Sequence, residues 1–214
     1  MEGTSVKNMW GSGRRILEMW NAGRKLWEQK ILSGSAFFTS SGVFTIPQTA
    51  IFMKLTIAGA GGGCAGDTWA VYVWGGGGGG GGGRIERSFY AQELQPMCGR
   101  SFAVIVGAPG NNGSKDVAGS NGGYSQFQMA EGSPTAYGGY GGGLGCPGGG
   151  GGGGSGANYD TLACGGGGGS GGVGATGAGG SGHTVNGQYF AYGGGSGTGH
   201  PGTGSVFIEY AYFE

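Results

Sequence analysis

Every residue from 75 to 83 is glycine, and further glycine runs fill 148–154 and 165–169. A residue without Cβ loses the most entropy on ordering, yet it allows the closest approach of one backbone to another. Such a run therefore folds in one of two ways. It is a flexible linker, or it is an extended helix of three residues per turn that has no internal hydrogen bonds and pairs its N–H and C=O groups with neighbouring segments. Glycine and proline together make up roughly a third of the 214 residues, a composition usually read as low complexity. The inserts between the runs argue against that reading. Residues 67–74, 158–162 and 183–192 are bulky and aromatic, and 12% of the whole chain is aromatic, which is a poor recipe for disorder.

The net charge is zero and charged residues are only 10%, so nothing in the balance points to nucleic acid or an acidic partner. No apolar run reaches the length of a membrane span. The Met1 end has neither a charged-then-apolar leader pattern nor a small-residue cleavage site, which predicts synthesis in a cytosol and no membrane insertion. Cys64, Cys98, Cys146 and Cys164 lack CxxC or zinc spacing and read as buried thiols rather than metal ligands.

Residues 1–34 form a segment of their own, with a repeat of period ten. Val6-Lys-Asn-Met-Trp-Gly-Ser-Gly-Arg-Arg15 is followed by Ile16-Leu-Glu-Met-Trp-Asn-Ala-Gly-Arg-Lys25, and Leu26-Trp-Glu28 begins a third copy. A helix would carry Gly11, Gly13 and Gly23 in its interior at roughly 1 kcal/mol each, whereas strands joined by glycine turns use them where positive φ is needed. The spacing predicts a small three-stranded meander. Trp10 and Trp20 would occupy equivalent places on neighbouring strands, and Trp27 follows on the third. A sheet this small is marginal alone, so it is expected to attach to a partner or to its own copies.

Strand-like runs in 35–214 lie at 36–39, 43–46, 52–58, 85–91, 102–106, 125–129 and 205–212. The expected fold is mostly β and irregular: the meander, then a β part joined to a packed bundle of polyglycine helices. At about 3.1 Å per residue, 75–83 spans about 28 Å. The stretches 138–156 and 165–182 are about twice that length, interrupted near their middles at Cys146-Pro147 and Val173. A hairpin at each midpoint equalises the segments. Alternating outward and return runs then places every strand at one end of the bundle, and loops 67–74, 111–118, 132–137, 157–163 and 183–192 at the other.

The expected recognition residues in those loops are Asp67, Trp69, Tyr72, Trp74, Asn111, Asn112, Tyr137, Asn158, Tyr159, Asp160, His183, Asn186, Tyr189, Phe190 and Tyr192. Aromatic rings supply contact area at small entropy cost, and amides supply adaptable hydrogen bonds.

Phe44-Thr-Ile-Pro47, Leu55-Thr-Ile-Ala-Gly-Ala-Gly-Gly-Gly63, Phe102-Ala-Val-Ile-Val-Gly107, Asn121-Gly-Gly-Tyr-Ser125 and Gly202-Thr-Gly-Ser-Val-Phe-Ile-Glu209 resemble the glycine-rich domain of bacteriophage tail proteins. The resemblance covers roughly 35–214, and the ten-residue repeat is similar to short repeats that accompany phage tail-fibre domains. It implies an architecture like that of the tip adhesins of T-even-type long tail fibres, in which polyglycine helices pack in layers and the intervening loops contact the bacterial receptor. The implied protein is a virion component at the tail tip. Its partners would be a bacterial surface protein or polysaccharide and, through 6–30, a fibre protein or itself.

Catalytic and cofactor readings are weak. Gly61-x-Gly63-x-x-Gly66 follows a strand, but no helix follows to hold a pyrophosphate, and Ser114 precedes Lys115 where a phosphate loop needs Lys first. Asp67 and Asp160 could cleave a glycan as a carboxylate pair if their separation suited it; solvated loop charges are the ordinary explanation. No enzyme activity and no cofactor is expected. The alternatives to recognition are a structural shell component or an ice-binding slab, although flat ice-binding faces want short, regular side chains.

Overall fold

The computed structural model describes residues 4–7, 18–21, 24–28, 30–66, 68–69, 73–74, 76–144, 153–157, 160–163, 179–193 and 199–214. Strands dominate it. The first three, β1 (Thr4–Lys7), β2 (Glu18–Asn21) and β3 (Arg24–Glu28), form the antiparallel meander expected from the repeat. Their starts do not keep the ten-residue spacing, and a bulge shifts the β2–β3 register so that Trp27 opposes Met19 while Trp20 opposes Lys25. Trp10 lies outside the described residues.

The next strands are β4 (Ile31–Phe38), β5 (Gly42–Thr45), β6 (Ala50–Ala58), the short pair β7 (Thr68–Trp69) and β8 (Val73–Trp74), and β9 (Arg84–Tyr90). After the short helix α1 (Ala91–Leu94) come β10 (Ser101–Ile105), β11 (Ser125–Phe127), β12 (Thr135–Ala136), β13 (Gly156–Ala157), β14 (Thr161–Ala163), β15 (His183–Val185), β16 (Gln188–Phe190) and β17 (Ser205–Phe213). All seven strand-like runs of 35–214 are strands. They assemble into two antiparallel five-stranded sheets, ordered β13-β12-β11-β10-β5 and β14-β9-β6-β17-β4.

Alternation along the strands makes the core. Met53, Leu55 and Ile57 of β6 lie in register with Tyr210, Ile208 and Val206 of β17, so one face of the second sheet is continuously apolar. The first sheet answers with Phe44, Val104 and Phe127, and the Phe44 ring meets Tyr210 across the gap with centroids 5.4 Å apart. Each fully buried aliphatic or aromatic side chain there contributes roughly 1.5–3 kcal/mol, so the apolar stabilisation resides in the sheets. Glu93 Oε2 accepts from the Tyr90 N–H at 3.3 Å to start α1, and α1 buries Leu94 in the same core.

The described glycine segments 59–66, 76–83 and 138–143 carry no strand pairing, yet their backbones are hydrogen-bonded to neighbouring segments. The N–H groups of Gly59, Gly62 and Ala65 donate to the carbonyls of Gly83, Gly80 and Gly77 at 2.9, 2.8 and 2.8 Å. Those of Ala60, Gly63 and Gly66 donate instead to Gly123, Ser120 and Val117, and the Gly61 carbonyl accepts from Gly110. Gly83, Gly80 and Gly77 in turn donate to Tyr137, Tyr140 and Gly143. In a β-strand, successive residues alternate between two neighbours. Here every third residue returns to the same neighbour, and residues 59–66 address several different segments. Residues 76–83 are buried although they have no side chains, because backbone surrounds them.

These rows fix the direction of each segment. Gly59, Gly83 and Tyr137 lie beside the sheets; Ala65, Gly77 and Gly143 lie at the far end. Three expectations about the loops are thereby corrected, for 132–137, for 157–163 and for 183–192, whose Val185 and Phe190 pack against Ala58 beside the sheets. Residues 132–137 do not reach the far end, because β11 and β12 form a hairpin, with Ser125 opposite Ala136. Of residues 157–163, Ala157 in β13 and residues 160–163 also stay at the sheet end, where β14 pairs with β9. Conversely, the chain approaching Cys146-Pro147 is at the far end at Gly143, not at the sheets; 146, 147 and 173 themselves lie outside the described residues.

Candidate functional site

At the far end, the described chain offers residues 64–66, the β7–β8 pair, the bend 111–117, Leu144 and Gly199. Trp69 opposes Val73 and Trp74 opposes Thr68 in a two-stranded hairpin, so both tryptophans sit where the sequence places them. The neighbouring Asp67 and Tyr72 lie outside the described residues, as do Asn158 and Tyr159.

Asn111 and Asn112 also lie at this end, and both are tied into the scaffold. Asn112 Oδ1 accepts from the Cys64 N–H at 3.0 Å, and its Nδ2 donates to the Gly199 carbonyl at 3.0 Å, so one amide clamps three segments. The Asn111 N–H donates to Ser120 Oγ at 2.7 Å. The bend closes through Val117 N–H to the Ser114 carbonyl at 2.9 Å, with Asp116 at φ 59°, a conformation Asp tolerates better than most residues. Between 64–66 and 112–115 lies a groove of about 270 Å³, flanked by the exposed Lys115. Reasoning from the sequence missed Val117 and Leu144, which are exposed apolar side chains here. Their signal was only that each interrupts a polar or glycine stretch.

The remaining expected residues sit elsewhere. Asp160 is at the sheet end, where Oδ1 pairs with the Arg87 guanidinium at 2.9 Å and Oδ2 accepts from the Ser88 N–H at 2.6 Å. Gly66, which precedes Asp67, is at the opposite end, so the frame gives no support to an acid pair built on Asp160. The β15–β16 hairpin is also at the sheet end. Its Asn186-Gly187 turn has both φ angles positive, as a tight hairpin requires. Phe190 is buried against Phe37, Val185, Ala58 and Phe207, so it is a core residue rather than a contact residue. Tyr189 and Tyr192 are exposed and stacked, with centroids 5.4 Å apart, and the Tyr189 hydroxyl accepts from the Gly182 N–H at 2.7 Å. Asn186 is exposed at the turn.

His183 is half-buried beside a charged cluster. Burial first, and the nearby Arg84 guanidinium second, push its imidazole below the usual range, against a raising hydrogen bond with the Gly82 backbone. Burial acts to raise the Glu86 carboxyl, but hydrogen bonding to Lys54 and the charges of Arg84 and Lys54 leave it below its usual range. Lys54 Nζ lies 3.2 Å from Glu86, and Arg84 pairs with the same carboxylate. His183 Nε2 is buried without a partner. Among the described residues, no three His, Cys, Asp or Glu gather to hold a metal, and no helix is long and apolar enough to cross a membrane. Cys64 is buried, and Cys98 Sγ reaches the Ala50 carbonyl at 3.8 Å. Residues 107–123 run out, bend and return without a helix, so the phosphate-loop likeness has no structural counterpart.

A family model described as a glycine-rich domain matches residues 39–207, from the end of β4 into β17. The chain belongs to the glycine-rich domain family. The match takes in the first five-stranded sheet, β6, β9, β14 and the start of β17 in the second, and every glycine segment, and it leaves out the meander and β4, so the glycine-rich domain is most of the sheet-and-segment body. No curated protein matches the chain.

Proposed function

We propose that this glycine-rich domain protein is a phage tail-fibre tip adhesin, a virion component that recognises a bacterial surface protein or polysaccharide without chemistry. The glycine segments are read as polyglycine II helices. What supports this is the three-residue period of their lateral hydrogen bonds together with the several neighbours of 59–66, which suit a three-fold helix and not a pleated strand.

The observation that carries the functional reading is the far end. There the β7–β8 hairpin with Trp69 and Trp74, the 111–117 bend and Leu144 project from a body whose backbone groups are already paired. Loops held in place before contact lose little further entropy on binding. Residues 6–30 would join the tip to a fibre protein or to another copy, through Trp20 and Trp27, which lie on that sheet, and Trp10. Catalysis is no part of this reading, and neither is a cofactor.

Labelled protein added to a panel of whole bacteria tests it. Saturable binding to particular strains, competed by unlabelled protein, is the expected outcome. Failure to bind any strain, together with altered ice growth or self-assembly into sheets, would replace recognition by a structural role.

A further inference from the structure

A second surface lies on the flank of the glycine body, away from the far end. Tyr124, Tyr137 and Tyr140 are 47%, 47% and 59% exposed and line a groove of about 410 Å³, together with Asn121, Ser155 and Gly154. Tyr137 and Tyr140 are three residues apart on one segment, and their carbonyls accept from Gly83 and Gly80 in the same row. Both rings therefore leave the body on one side, separated by roughly 9 Å at about 3.1 Å per residue. Tyr124 closes the groove from the neighbouring segment that enters β11.

We infer that this groove binds a neutral glycan chain, laid along the flank with sugar faces against the tyrosine rings. Three exposed rings on an otherwise glycine, serine and asparagine flank are a local concentration of apolar surface of the kind that marks a binding site. The axial C–H groups of a pyranose present an apolar face to a ring, while its hydroxyls pair with phenolic oxygens, side-chain amides and exposed glycine backbone. Among the described residues, no Lys, Arg, Asp, Glu or His lines the groove, so they offer no charged partner to a phosphate or carboxylate. A nucleic acid or acidic polysaccharide is therefore the wrong occupant. The Tyr137–Tyr140 separation matches alternate sugars of an extended chain.

The test is isotope-resolved NMR titration of the full chain with neutral hexasaccharides (α-1,4-glucan, β-1,4-glucan, β-1,4-mannan and β-1,4-linked N-acetylglucosamine) and with a galacturonate hexamer as the anionic comparison. At least one neutral hexamer is expected to shift the resonances of Tyr124, Tyr137, Tyr140 and Gly154. Tyr124→Ala and Tyr140→Ala should each weaken that binding about tenfold, while Tyr140→Phe keeps most of it. The rings are exposed, so thermal midpoints should stay near the parent value and separate lost binding from lost fold. No response to any neutral hexamer, equal response to the galacturonate hexamer, or undiminished binding by the alanine variants would each overturn the inference. None of these readouts depends on whether the far end binds bacteria.

Discussion

Replacing Gly79 by alanine adds one methyl group, and the surroundings leave no room for it. The new Cβ would stand 2.7 Å from the Gly63 carbonyl oxygen and closer still to the Gly62 carbonyl, where ordinary contact begins at 3.4 Å. Both neighbours are backbone, so no side-chain rotamer can relieve the clash. Moving residues 62–63 strains the Gly62 N–H bond to Gly80 and the Gly142 N–H bond to Gly63, each 2.8 Å long. Overpacking costs about 1–3 kcal/mol and each buried backbone bond lost about 1–3 kcal/mol, giving roughly 3–9 kcal/mol when both bonds are lost. Against this, alanine restricts the unfolded chain and returns only about 0.4–1 kcal/mol. Typical domains hold 5–15 kcal/mol in all, so Gly79→Ala should unfold at much lower urea or fail to fold. Gly132→Ala is the control. Its φ of 61° disfavours alanine by about 1 kcal/mol, but nothing lies within 4 Å of the added methyl. Urea unfolding followed by circular dichroism ranks the variants. If Gly79→Ala is within about 0.5 kcal/mol of the parent, or costs less than Gly132→Ala, the close backbone packing of the glycine segments is refuted.

Trp69→Ala and Trp74→Ala should reduce binding to whole bacteria several-fold while thermal midpoints stay close to the parent value; unfolding of either variant would show the hairpin to be structural. Asp160→Asn loses the charge-assisted bond to the Ser88 N–H and an exposed pair with Arg87, and should cost about 1 kcal/mol in urea without affecting cell binding. His183 gives the chain a pH dependence. Its folded-state pKa lies below the ordinary value of 6.5, so between the two the unfolded chain binds more protons and stability falls as pH drops below about 6.5. Thermal midpoints between pH 7.5 and pH 5 should decline in the parent and flatten in His183→Asn; Glu86, held below its usual range, withdraws its own contribution only below about pH 4.5.

The strands were legible because burial imposes a period of two: the alternation of buried Met53 and Leu55 with the less buried Phe52 and Lys54 needs no partner to be recognised. The meander was legible from its repeat, although the bulge opposite Trp27 was not. The end of the body at which each loop sits failed wherever length was ignored. Only a few residues separate Phe127 from Thr135, far too few to travel out alongside a segment as long as 76–83 and back, so a hairpin was the available solution. Strands such as β12, β13 and β14 are two or three residues long, below the length at which any period can be read. The dual use of Asn112 was hidden for another reason. An exposed asparagine in a loop reads as a contact residue, and only its bonds to Cys64 and Gly199 reveal a clamp.

The three-residue period also explains where this chain tolerates side chains. Along 137–142, a Cβ at Gly138 or Gly141 would strike Gly122 or Gly119, and one at Gly139 or Gly142 would strike Gly80 or Gly77. Two of the three faces therefore admit only glycine. The third faces solvent, and it carries Tyr137 and Tyr140. Residues 59–66 are enclosed more completely: Gly59 and Gly62 face 136–140, Gly63 and Gly66 face 111–115, Gly61 faces 192–193, and Ala60, Cys64 and Ala65, all nearly fully buried, are the non-glycine residues among them. Glycine content is thus a record of how many neighbours a segment has. On this body, an aromatic residue inside a glycine stretch marks an open face, so chemical identity can vary only on the flank and at the far end without breaking the packing that holds both in place.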